Sequence, residues 1–79
     1  MLTLYYRPLC PYCIKVLNFA GSNGISFDLR DIDASKETTD ELVALGGKRQ
    51  VPYLVDNEHG VAMYESDEII AYLTQTYGN

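Results

Sequence analysis

Seventy-nine residues and 8.9 kDa, with two cysteines, no tryptophan and a formal net charge of −5, already narrow the field. The length fits one domain, residues 1–79, since domains usually run to about 50–250 residues. Two cysteines exclude a multi-disulfide scaffold, and 47% apolar against 22% charged residues is the balance of a globular chain.

Leu2-Thr3-Leu4-Tyr5-Tyr6 is aliphatic, aromatic and β-branched and is stopped by Arg7-Pro8, which predicts a strand. From Pro11 the period changes: Cys13, Val16, Leu17 and Ala20 recur at helical spacing. Pro11 suits the first helical position, and Gly21-Ser22-Asn23-Gly24 supplies the stop. Ile25, Phe27 and Leu29 alternate, predicting a second strand over 25–30. Asp33 or Ser35 can cap a second helix that ends at Gly46-Gly47. The runs 52–55 and 61–64 predict two more strands, with Asp56-Asn57-Glu58-His59-Gly60 as a hairpin turn between them. Ser66 is a natural cap for a last helix carrying Ile69, Ile70, Leu73 and Tyr77, which Gly78 ends. The order is β-α-β-α-β-β-α. It predicts an α/β domain with a four-stranded mixed sheet flanked by three helices, the first two strands parallel and the last two a hairpin.

No apolar h-region follows Met1, and nothing approaches the roughly 18 apolar residues of a membrane span. A cytoplasmic chain without a membrane partner is expected. The charge is uneven: residues 1–27 hold Arg7 and Lys15 and no acid, while the remainder holds four bases against eleven acids. An acidic chain without a basic run is not expected to bind nucleic acid. Arg7, Lys15, Lys48 and Arg49 nevertheless lie near the two segments described next, predicting a basic lip suited to a small anion.

Cys10-Pro11-Tyr12-Cys13 carries the strongest chemical signal. Cys10 falls where a strand hands over to a helix, so free N–H groups and the positive end of the helix dipole favour thiolate over thiol. Cys13, one turn later on the apolar face, should be more buried and less acidic. That asymmetry suits a nucleophile and a resolving thiol in disulfide exchange. Structural zinc normally needs four ligands, and His59 is the one other candidate, so no metal is expected. A static disulfide is disfavoured in a reducing compartment.

In Val51-Pro52 the proline either simply begins a strand or follows a cis bond; both readings are open from composition. A cis bond would turn the Val51 backbone outward, where it can pair with an extended peptide. Glu65-Ser66-Asp67 opens the last helix, where free N–H groups make a natural carboxylate site.

Taken together, Cys10-Pro11-Tyr12-Cys13, Val51-Pro52 after Gly46-Gly47, and the acidic start of the last helix resemble a dithiol glutaredoxin over essentially the whole chain. The resemblance implies a minimal thioredoxin-like fold, a cis Pro52, and a glutathione-dependent thiol–disulfide oxidoreductase. Cys10 would be the nucleophile and Cys13 the resolving thiol, acting on disulfide-containing or glutathionylated proteins. Glutathione would be the co-substrate, with no tightly bound cofactor, and the protein a monomer. Arg7 stands where the family usually has the Lys that meets the glycine carboxylate. Tyr12 would flank the tripeptide, and Val51 would pair with its cysteine backbone. Ser66 and Asp67 would hold the γ-glutamyl end. Two segments depart from that family: Gln50-Val51-Pro52 replaces its usual Thr-Val-Pro, and Met63-Tyr64-Glu65-Ser66 its frequent Gly-Gly-Cys-Asp. Glu65-Ser66 is instead similar to the glutathione-binding motif of the glutathione S-transferase N-terminal domain. A complete transferase also needs a helical second domain, for which 79 residues leave no room. Three further readings stay open: a glutaredoxin-like protein reduced by a flavoprotein reductase, a dimer holding an iron–sulfur cluster through Cys10 and glutathione, and a detached transferase-like glutathione-binding domain.

Overall fold

The computed structural model describes residues 2–77. Its elements are β1 (Leu2–Tyr6), α1 (Pro11–Ser22), β2 (Asp28–Asp31), α2 (Lys36–Gly46), β3 (Tyr53–Asp56), β4 (Val61–Tyr64) and α3 (Ser66–Tyr77). The sheet order is β2-β1-β3-β4, with β2 parallel to β1 and the other neighbours antiparallel. This is the mixed four-stranded sheet the sequence predicts.

Strand side chains alternate between the two faces of the sheet, and each face has its own core. Leu2 and Leu4 of β1 meet Leu54 of β3, Val16 of α1, and Ile69 and Leu73 of α3. On the opposite face Tyr5 and Tyr53 join Ile32 and Leu42 of α2. The sheet is therefore sandwiched, α1 and α3 on one side and α2 on the other. None of the described helices is long and apolar enough to cross a membrane.

Local chemistry sets the boundaries. Helix α1 takes in Gly21 and Ser22 and ends at Asn23, within the predicted stop Gly21-Ser22-Asn23-Gly24. The stop is made by Gly24 in the left-handed region (φ 68°), which lets the Ile25 N–H return to the Ala20 carbonyl at 2.9 Å. That bond holds Ile25 against the helix end, so β2 begins at Asp28 and not at Ile25. Of the two candidate caps for α2, Ser35 is the one used: its Oγ accepts from the Thr38 N–H at 3.2 Å.

The topology gathers the interesting loops at one end of the sheet. Tyr5 pairs with Tyr53, and Tyr53 with Tyr64. The exit of β1, the entry to β3 and the exit of β4 are therefore adjacent. These lead respectively to Cys10, from Val51-Pro52, and to Glu65. The Ile32 N–H donates to the Tyr6 carbonyl at 3.0 Å, bringing Asp33 to the same end.

The other end holds a feature the sequence reading placed wrongly. The sequence predicts Asp56 in the hairpin turn; it is the last residue of β3 and fully buried. Its carboxylate accepts from Tyr72 Oη at 2.5 Å, Tyr77 Oη at 2.7 Å and the Glu58 N–H at 3.1 Å, and His59 Nδ1 lies 2.8 Å away. Burial pushes the Asp56 carboxyl up, but the Tyr72 and Tyr77 hydroxyls and the His59 ring outweigh it. The group is held well below the usual carboxylate range. His59, which lies in the turn as the sequence predicts, thus also belongs to a network that ties the β3–β4 turn to α3.

Candidate active site

Cys10 is the N-cap of α1, extended at φ −79° and ψ 119°, and its side chain makes no capping hydrogen bond. Its N–H closes a tight turn back to the Arg7 carbonyl at 3.2 Å, and its own carbonyl accepts the first helical bond, from the Ile14 N–H at 2.9 Å. The thiol therefore stands at the free N–H end of α1, with no acid in the first helical turn. Cys10 is partly exposed, whereas Cys13 is fully buried; both are free thiols. Burial is the main influence that pushes the Cys13 thiol up to about 12; a backbone hydrogen bond from Arg7 opposes it and the Cys10 thiol adds to it. One sulfur is accessible at the surface and the other is kept protonated beneath it.

Two grooves adjoin one another at Tyr12 and Val51, and Cys10 lines the first. The first, of about 530 Å³, is lined by Cys10, Arg7, Tyr12 and Val51 together with Asp33 and Arg49. The second, of about 370 Å³, shares Tyr12 and Val51 and adds Gln50, Pro52, Glu65, Ser66 and Asp67. The expected site residues Arg7, Cys10, Tyr12, Gln50, Val51, Pro52, Glu65, Ser66 and Asp67 each line one groove or the other, whereas Cys13, Lys15 and Lys48 line neither. The Val51–Pro52 bond is cis. Val51 precedes β3, and its backbone N–H and carbonyl make no hydrogen bond among the described residues.

At the start of α3, Glu65 has φ 74°, a left-handed conformation that costs a non-glycine residue about 1–2 kcal/mol. Its carbonyl accepts from the Ile69 N–H at 2.9 Å, so Glu65 is the cap and Ser66 the first helical residue, one position earlier than the sequence predicts. Gln50 Nε2 donates to Glu65 Oε1 at 3.2 Å, joining the loop before β3 to the head of α3.

Two of the four cations of the expected basic lip are paired with carboxylates. Arg7 Nε pairs with Asp33 at 3.0 Å, Lys15 Nζ with Asp67 at 2.5 Å, and Lys48 Nζ lies 5.5 Å over the Tyr64 ring. The last of the four, Arg49, lines the first groove and has no ion-pair partner among the described residues. Charge counting along the chain could not foresee this, because Lys15 and Asp67 are 52 residues apart. Sequence reasoning also missed Leu9, 91% exposed on the rim, and Asp33, considered there merely as a helix cap. Among the described residues no three His, Cys, Asp or Glu side chains are grouped to hold a metal ion.

Residues 4–79 match the family model described as glutathione S-transferase, N-terminal domain. The chain belongs to that family. Among this family's members, glutathione S-transferase D7 of Anopheles gambiae is 34% identical over 77 residues, covering 95% of this chain and 34% of that protein. A delta-class glutathione transferase from Nilaparvata lugens superposes with a TM-score of 0.83 at 32% identity, covering 100% of this chain and 37% of the other. The chain thus spans about a third of the length of these transferases. Glutaredoxin 3 of Escherichia coli (strain K12) is also similar, 30% identical over 57 residues, with 71% of this chain and 69% of that protein covered. The thioredoxin-like fold is common to these relatives, and the family model that matches is that of the transferase N-terminal domain.

Proposed function

We propose that the domain is a glutathione-dependent thiol–disulfide oxidoreductase that reduces protein disulfides and glutathione mixed disulfides through Cys10 and Cys13. The observation that carries this reading is the accessible Cys10 thiol at the head of α1, one turn from the buried Cys13. Two thiols at this spacing can complete an exchange that one cannot. The Cys10 thiolate attacks one sulfur of a substrate disulfide, forming a mixed disulfide and expelling the first thiolate. Cys13 gives up its proton to solvent and attacks Cys10, forming the Cys10–Cys13 disulfide and releasing the second product thiol. One glutathione thiolate reopens that disulfide at Cys10, and a second removes the first as oxidised glutathione. One substrate disulfide and two glutathiones thus become two thiols and oxidised glutathione.

Glutathione suits the two grooves. Its peptide backbone can lie along the unpaired groups of Val51, its amino-acid head at the α3 N-terminus with Ser66, and its other carboxylate toward Arg49 and Arg7. Asp67 would have to leave Lys15 to meet the ligand amine. The reaction requires a reducing compartment, in keeping with a cytoplasmic location.

Two coupled assays test the choice of reductant. Disulfide reduction is expected with glutathione and its reductase, and to be absent with a thioredoxin-type flavoprotein reductase. The opposite pattern would overturn the glutathione reading. A second reading, favoured by the family match, is a transferase-like domain that binds glutathione and conjugates it. Conjugation of a chloronitrobenzene without any disulfide reduction would favour that alternative.

A further inference from the structure

Tyr64 ends β4 and directly precedes Glu65, the strained cap of α3. Its hydroxyl donates to the Lys48 carbonyl at 2.8 Å and accepts from the Lys48 N–H at 3.1 Å. Both polar groups of one peptide residue are thereby held by one side chain. The ring is fixed in turn against Tyr53, with centroids 4.4 Å apart, and Lys48 Nζ sits over it. Close approach to the end of α2 requires glycine: a Cβ on Gly46 would run into the Tyr64 hydroxyl and lie 2.7 Å from ring atom Cζ. Lys48 leads immediately into Arg49, Gln50, Val51 and Pro52, which line the grooves.

The second groove therefore has two walls, the 50–52 loop and the head of α3, and Tyr64 is attached to both. It is bonded covalently to Glu65 and through two hydrogen bonds to Lys48. The direct bridge between the walls, Gln50 to Glu65, is a single exposed hydrogen bond of 3.2 Å, so it cannot hold the spacing by itself. We infer that Tyr64 is a positioning residue that sets the separation of these walls and hence the affinity of the groove for its ligand. The inference rests on the glutathione reading and deepens it: Tyr64 lines neither groove, and acts through the placement of Val51 and Glu65.

S-methylglutathione, which cannot exchange disulfides, is the probe. In the Tyr64→Phe protein, calorimetric titration should give a dissociation constant raised about five- to tenfold, the scale of one or two ordinary hydrogen bonds. The turnover number at saturating glutathione should stay within about twofold, because the two cysteines are untouched. Exchange of the Lys48 amide should be faster, reporting the released loop. Gly46→Ala pushes on the hydroxyl end of the same ring and should raise the dissociation constant in the same way, and combined with Tyr64→Phe it should raise it by less than the product of the two single effects. Unchanged affinity in both single variants, or a turnover number that falls as far as the affinity, contradicts the inference. Failure of the unsubstituted protein to bind the probe at all contradicts the glutathione reading, and this inference with it.

Discussion

The Cys10→Ser protein is expected to lose glutathione-coupled disulfide reduction by about a thousandfold or more, because no other accessible thiolate can open the substrate disulfide. Cys13 cannot substitute. It is fully buried, and its thiol stays protonated until far above neutral pH. Cys13→Ser should behave differently. Reduction of protein disulfides that need the intramolecular step should fall steeply, while removal of glutathione from mixed disulfides should persist within about threefold, since free glutathione can attack the Cys10 adduct. The check is steady-state kinetics of both variants on a dithiol and a glutathionylated substrate. Equal losses in the two variants on both substrates would contradict the assigned division of labour.

The second large effect is on stability, at the end of the sheet remote from the cysteines. Asp56→Ala removes the common acceptor of Tyr72 and Tyr77 and leaves the buried end of β3 without its charge-assisted bonds. A cost of about 2–3 kcal/mol is expected. For a domain of this size that lowers the midpoint of thermal unfolding by roughly 10–20 °C. The same network fixes a direction for pH. The folded Asp56 carboxyl is held below its unfolded value, so its contribution is present above about pH 4, the ordinary carboxylate range, and is lost as the pH falls toward the folded value, the unfolded chain taking up the proton first. Urea unfolding at pH 7 and at pH 3 should therefore show a smaller acid-induced loss in Asp56→Asn than in the unsubstituted protein. Identical losses would show that Asp56 is not the group responsible.

How far the sequence carries the account depends on the range of the forces involved. Short-range signals are readable: the change of period at Pro11, a cap for α2 at Asp33 or Ser35, and the hairpin ending at Gly60. The grouping of Cys10 with Val51 and Glu65 follows in the sequence only from the family resemblance, because it depends on β3 lying antiparallel beside β1, a pairing that no local signal specifies. Pairings between distant side chains are not readable. Asp56 looks like a turn residue until Tyr72 and Tyr77, 16 and 21 residues later, are brought over it by α3. Arg7 and Lys15 look like free cations until Asp33 and Asp67 are placed beside them. The start of β2 was misread for a related reason, because Ile25 is held by the backbone of α1 and its alternation with Phe27 serves core packing outside the ladder. Tyr64 carried no motif at all, and its role depends on a backbone 16 residues away.

The central claim is that Cys10 forms a mixed disulfide with glutathione in the groove beside it. The direct measurement is to incubate the Cys13→Ser protein with oxidised glutathione and map the product by mass spectrometry. One glutathionyl group on Cys10 is predicted, removed again by excess glutathione. An intact Cys10 thiol after prolonged incubation would contradict the claim.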